Sequence, residues 1–208
     1  MKIIFDTADI KEIERFAKLF PDVDCITTNP SLLKQSGVDS EEKFKEFTLN
    51  VKEIIPNVNI FFQCFSEDDI DTLIKMNNNI PDVNLIAKIS IIPRFYNLIR
   101  LAIESKLQTA ATTCYDLVQI HQACEMGMDY TMVYHAKNEN PNLMREAVEM
   151  KKKYDFTTTL VGASFRTKQD IIEAIKSGID CATIPPHILG LAYFNSQAES
   201  DVKNILCE

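Results

Sequence analysis

Eight short apolar runs, each followed by a longer segment of helical periodicity, recur along this chain of 208 residues. The runs cover 2–5, 23–27, 58–65, 85–89, 107–112, 130–134, 157–162 and 181–184. They are short and rich in branched residues, as strands are, whereas the segments between them repeat apolar positions at helical spacing. A strand that returns parallel to its neighbour needs a long crossover, usually a helix. Eight such units predict a parallel (β/α)8 barrel of the TIM type. An open doubly wound sheet is the alternative, but a Gly-rich dinucleotide fingerprint should then follow the first strand. The chain has only five glycines and none forms G-x-G-x-x-G.

Helix boundaries are legible between the runs. Ser66-Glu67-Asp68-Asp69 and Thr167-Lys168-Gln169-Asp170 read as capping boxes with aspartate in the place of glutamate. Pro93 suits a first helical turn, where its missing N–H is not needed. Met126-Gly127-Met128-Asp129 and Ser177-Gly178-Ile179-Asp180 share one form, a glycine that ends a helix just before the next strand. No linker or composition break interrupts the pattern, which predicts a single domain over 1–208 with a short C-terminal helical tail at about 196–208.

A net charge of -8 argues against nucleic acid or an anionic membrane as the main partner. The first apolar stretch is stopped at Asp6, too early for a signal peptide, and no run reaches the length of a membrane span. Six cysteines lie scattered without a C-x-x-C pair, which suits buried, reduced thiols in a cytoplasmic protein. A metal centre would need converging ligands. Of the three histidines, His121 falls in a helical stretch, His135 should point away from its neighbour Tyr134, and His187 belongs near the last helix. Cys114, the one cysteine near a suggestive strand end, is expected to pack at a helix start, so neither a metal nor a thiol nucleophile is predicted.

Lys88 interrupts the apolar run 85–89. A lysine with the ordinary pKa of ~10.4 is neutral in about one molecule in 2,500 at pH 7. Burial disfavours the ammonium form, and at a pKa of ~7.5 roughly a quarter would be neutral and able to attack a carbonyl. An edge-strand lysine whose stem lies on the sheet while its head reaches water is the competing reading.

Chemistry in such a barrel is built at the carboxyl ends of the strands. Those ends carry Asp6, then Thr27-Thr28-Asn29, Gln63, Lys88, Thr112, Tyr134, Ser164 and Thr183. Any one of them alone is as easily a cap or a satisfied core hydroxyl. Converging on one rim, they would surround an amine with hydroxyl-binding groups.

The segments Phe5-Asp6-Thr7-Ala8, Ile26-Thr27-Thr28-Asn29-Pro30-Ser31, Gly162-Ala163-Ser164-Phe165-Arg166 and Thr183-Ile184-Pro185, with Lys88 on the fourth strand, resemble the small transaldolase family. Within it they resemble the fructose 6-phosphate aldolase branch. The resemblance implies a class I, Schiff-base aldolase or transaldolase of carbohydrate metabolism, without metal or other cofactor, acting on small sugar phosphates. By it, Lys88 forms the imine and Asp6 moves protons to and from the substrate hydroxyls. Asn29 and Ser164 hydrogen-bond the donor hydroxyls, and Thr27 lines the same pocket. Gln63, Thr112 and Tyr134 hold a water; Ser164, Arg166 and Lys137 grip a phosphate. The resemblance also implies a ring-built homo-oligomer, in the family a decamer, closed by the C-terminal segment.

Transaldolases of the family carry glutamate at the position of Gln63 and phenylalanine at that of Tyr134, so this pair resembles the aldolase branch. A phenol beside the water favours hydrolysis of the imine over its transfer. Departures from the family are Ser90 and Ile92 after the lysine, Pro93-Arg94 at the next helix, Val133, and Lys137 where an arginine is usual. A lysine there offers a point charge without a bidentate fork. The segment 197–208 is also shorter than in relatives. A transaldolase proper, acting on sedoheptulose 7-phosphate and glyceraldehyde 3-phosphate, and a silent barrel that only binds sugar phosphates are the competing functions.

Overall fold

A computed structural model describes residues 1–136 and 138–206 of the chain. Its strands are β1 (Lys2–Asp6), β2 (Cys25–Thr27), β3 (Val58–Gln63), β4 (Val83–Ser90), β5 (Thr109–Cys114), β6 (Tyr130–Tyr134), β7 (Thr159–Ala163) and β8 (Cys181–Ile184). They pair in chain order, every pair parallel, and β8 closes on β1 through Lys2 with Cys181 up to Phe5 with Ile184. The helices are α1 (Ile10–Leu19), α2 (Pro30–Gln35), α3 (Glu41–Ile54), α4 (Glu67–Asn79), α5 (Tyr96–Glu104), α6 (Leu117–Glu125), α7 (Leu143–Tyr154), α8 (Lys168–Ser177), α9 (Pro186–Tyr193) and α10 (Ser196–Leu206). The expected (β/α)8 barrel is what the chain forms. Among the described residues no helix is long and apolar enough to cross a membrane.

Alternation along the strands divides the apolar residues into two cores. Ile4, Cys25, Phe61, Ile86, Ala110, Met132, Val161 and Cys181 fill the barrel interior. Their neighbours face outward and pack with Phe16, Phe44, Leu73, Ile99, Ile120, Met144 and Ile171 of the surrounding helices. Two residues beyond the interior layer, the same face reaches Asp6, Thr27, Gln63, Lys88, Thr112 and Tyr134. Strand parity therefore brings these six polar side chains to the C-terminal end of the barrel.

Side-chain caps fix where the helices start. Asp9, Asn29, Ser40, Ser66, Asp116 and Thr167 each accept from backbone N–H groups of the first turn that follows. Both expected capping boxes are complete, Ser66 with Asp69 and Thr167 with Asp170. Gly127 and Gly178 take φ of 73° and 75°, which a side chain would resist. The aspartates that follow them do a second job. Asp129 accepts the N–H of Thr109 at 2.8 Å, and Asp180 that of Leu160 at 2.8 Å, so each ties the start of the preceding strand.

Cys114 is the last residue of β5 and fully buried, not at a helix start as expected, because β5 runs two residues past 112. Val23 lies outside β2; its N–H closes a turn onto the carbonyl of Phe20 at 3.1 Å. Pro93 opens a 3-10 turn, Pro93–Phe95, and α5 starts only at Tyr96.

Candidate active site

Lys88 lies in β4 and is 5% exposed. Its amine donates to the backbone carbonyl of Thr28, just beyond β2. Burial lowers its pKa to about 8, against the opposing pull of Asp6 and Cys64. Of the two readings the sequence left open, the buried amine is the one found.

Asp6, at the end of β1, accepts from Thr27 Oγ1 at 2.9 Å, and Thr27 in turn shares a hydrogen bond with Thr183 of β8. Burial raises the Asp6 pKa, while the charge on Lys88 and the Thr27 hydroxyl pull it down. In this pair burial outweighs mutual attraction at both ends, so each charged form is disfavoured.

Across the mouth, Thr112 Oγ1 and Tyr134 OH lie 3.1 Å apart. Burial raises the Tyr134 pKa, with the Thr112 bond working against it. The phenol thus keeps its proton at neutral pH. Gln63 pairs with Lys88 in the β3–β4 register. Its half-buried amide borders a cavity of ≈ 680 Å³ shared with Phe62 and Phe65.

Asn29 caps α2 through Oδ1, which accepts from Leu32 N at 3.0 Å, leaving the amide nitrogen as its donor. Both Asp6 and Asn29 line a cleft of ≈ 670 Å³ that runs out between α1 and α9 to Arg15 and His187. Ser164 follows β7 with φ of 67°, in the left-handed region. Arg166 is exposed, and its N–H is held by Asp170 at 2.7 Å. Among the described residues, neither side chain bonds to the Lys88 group. Lys137 lies outside the described residues.

Other polar groups fall away from this centre. His135 points outward, with Nε2 3.6 Å from Asp170 and its ring beside Phe165. His121 is in α6, and His187 is exposed at the start of α9. No group of three or more histidine, cysteine, aspartate or glutamate side chains gathers to hold a metal ion among the described residues. Sequence reasoning missed the Thr28 carbonyl, a backbone acceptor that no residue type announces. It also missed Tyr115, whose ring lies against Tyr134 with centroids 5.0 Å apart. The one signal for Tyr115 was Gln119 four residues on, beyond the Asp116 cap.

The family model described as transaldolase/fructose-6-phosphate aldolase matches residues 3–204. A relative from Parabacteroides distasonis, described as a probable transaldolase, is 27% identical over 192 residues, spanning 89% of this chain and 87% of its own. Another so described, from Clostridium botulinum, is 27% identical over 197 residues, spanning 91% and 88%. Among solved structures, type I 3-dehydroquinate dehydratase from Clostridium difficile aligns with TM-score 0.62 at 13% identity, over 88% of this chain and 83% of that one. The 3-hexulose-6-phosphate synthase from Salmonella typhimurium aligns with TM-score 0.60 at 15% identity, over 89% of both. At such identities these two structures speak for the barrel alone. The family match spans nearly every strand and helix described above, and this chain belongs to the transaldolase/fructose-6-phosphate aldolase family.

Proposed function

We propose that this enzyme is a class I aldolase that cleaves or transfers the dihydroxyacetone unit of a ketose phosphate such as fructose 6-phosphate through a Schiff base on Lys88. The observation that carries the proposal is the buried Lys88 amine with a pKa of about 8 at the C-terminal end of the barrel. At that value roughly a tenth of the molecules hold a neutral amine at pH 7, some hundreds of times more than for a free lysine.

The neutral amine attacks the ketose carbonyl, and loss of water leaves an iminium that draws electrons from the C3–C4 bond. Asp6, with a pKa raised by burial, takes the C4 hydroxyl proton as that bond breaks, and glyceraldehyde 3-phosphate departs. The electron pair remains on the enamine. A water held by Gln63, Thr112 and Tyr134 is the path for its protonation and for hydrolysis of the resulting imine. Thr27 steadies Asp6, and Asn29 and Ser164 hydrogen-bond the donor hydroxyls. Arg166, Ser164 and Lys137 receive the phosphate, aided by the positive end of α8.

Transfer of the three-carbon unit to a second aldehyde is the competing activity, favoured by the description of the relatives as probable transaldolases. Incubation with dihydroxyacetone or fructose 6-phosphate followed by borohydride tests the scheme. An adduct mass on Lys88 is expected, and an unmodified lysine under saturating donor would mark a barrel that only binds. Product analysis with and without erythrose 4-phosphate separates cleavage from transfer.

A homo-oligomer is proposed as the working form. Its support is α10, in which no residue is buried and Val202, Ile205 and Leu206 face outward. A cytoplasmic setting is proposed from Cys25, Cys64, Cys114, Cys124 and Cys181, all free and buried.

A further inference from the structure

Thr113 has φ of 60°, a region in which β-branched residues are crowded. It sits where β5 and β6 lose register: Ala111 pairs with Thr131, but the following pair is Cys114 with Val133. Three residues of β5 advance against two of β6, which is a bulge, and bulges re-aim the side chains beyond them. Tyr115 lies just beyond it, and its ring meets that of Tyr134 at an angle of 52°.

Both backbone groups of Tyr115 are tied. Its N–H donates to Gln119 Oε1 at 2.7 Å, and its carbonyl accepts from Asn138 Nδ2 in the loop after β6. A residue 37% exposed is thus held from two sides, beside a strained neighbour. Strain kept in this way clusters at working sites.

We propose that Tyr115 is a positioning residue that acts through Tyr134, its ring closing the solvent side of the Thr112–Tyr134 hydroxyl pair and holding the phenol in one rotamer. The inference deepens the role proposed for Tyr134 and rests on it. A shielded phenol keeps its proton and keeps bulk water from competing with the held one.

The groups that act on Tyr134 are Thr112 by its hydrogen bond and Tyr115, Asp6 and Cys114 through space, beneath the larger effect of burial. The test uses Tyr115→Ala and Tyr115→Phe in the full chain. Tyr134 ionisation is read by ultraviolet titration, as the difference between each protein and its Tyr134→Phe counterpart. In Tyr115→Ala the midpoint should fall towards the ordinary tyrosine value of ~10, and in Tyr115→Phe, which keeps the ring's shielding and loses only the through-space effect of its hydroxyl, it should fall by less. The alkaline limb of the pH–rate profile for cleavage should move the same way, with the rising limb set by Lys88 unchanged. Should Tyr115→Ala not fold, Gln119→Ala loosens the same ring and should give a smaller shift in the same direction.

An unmoved Tyr134 midpoint in a folded variant overturns the proposal. So does a moved midpoint with a fixed alkaline limb, since the contact would then have no bearing on the reaction. Failure of native protein to trap donor on Lys88 strikes the proposed function instead, and the titration still decides the contact.

Discussion

The Lys88 amine donates to the carbonyl of Thr28, reaching from β4 past β3 to the residue just beyond β2. A carbonyl carries no formal charge, so it orients the amine without holding its proton as a directly bonded carboxylate would. Asp6 acts on the amine through space and recovers only part of what burial takes away. The arrangement suits an amine that must be neutral for part of the time and point one way throughout.

Lys88→Met should abolish activity and raise the melting temperature at pH 7. The folded pKa of about 8 lies below the unfolded one near 10.5, so burial of the charged amine costs stability wherever the lysine is protonated. At ~1.36 kcal/mol per unit the cost is a little over ~3 kcal/mol at pH 7. It is fully present below pH 8 and fades as pH rises from 8 towards 10.5. The gain in the variant should stay under that figure, because Asp6 loses a favourable charge, and it should shrink between pH 7 and pH 10. Denaturation curves at the two pH values check this; a variant destabilised at pH 7 would refute it.

Asp6→Asn separates the role proposed for Asp6 as proton carrier from its electrostatic pull on Lys88. Its carboxylate raises the Lys88 pKa, so its removal lets burial push that value further below 8. Borohydride trapping of dihydroxyacetone should then reach half-maximum at a lower pH than in the native enzyme. Cleavage of fructose 6-phosphate should fall ~10²–10⁴-fold, the usual worth of a positioned acid–base group. A trapping midpoint that stays put or moves upward would count against the coupling.

Side-chain pattern made the barrel legible because its strands, caps and glycine stops are each written in residue types. The runs at 130–134 and 181–184 coincide with β6 and β8, and the aspartate capping boxes form as expected. Parity along those strands then carried Asp6, Lys88 and Tyr134 to one rim. What escaped the sequence was backbone geometry. The bulge at Thr113 extended β5 past 112 and turned Tyr115 onto Tyr134, and nothing in a Thr-Thr-Cys triplet announces a register shift. Asn29, expected to face substrate, spends its oxygen on the α2 cap.

Thr167→Ala removes one half of the α8 capping box. The hydroxyl accepts from Asp170 N at 3.2 Å, and Asp170 in return holds the N–H groups of Arg166 and Thr167 at 2.7 and 2.9 Å. Loss of such a cap costs ~1 kcal/mol, which chemical denaturation will register. Because the same aspartate sets Arg166, the KM for a phosphorylated donor should rise several-fold, and that for free dihydroxyacetone should not. Equal changes in both would mean that Arg166 does not meet the phosphate.

Tyr134→Phe bears on the choice between cleavage and transfer. The phenol lies 3.1 Å from Thr112, and burial keeps it protonated at neutral pH, so it can steer a water to the imine and give up a proton there. Phenylalanine keeps the ring and its contact with Tyr115 but removes that proton and one of the anchors proposed for the water. Imine formation on Lys88 needs neither, so borohydride trapping should persist. Hydrolysis needs both, so release of free dihydroxyacetone should drop by ~10²-fold, the lower end for lost acid–base help. With erythrose 4-phosphate present, the longer-lived enamine meets an aldehyde instead, and the ratio of transferred to released three-carbon units should climb. An unchanged ratio would remove Tyr134 from the water-handling trio and leave Gln63 and Thr112 to carry that step.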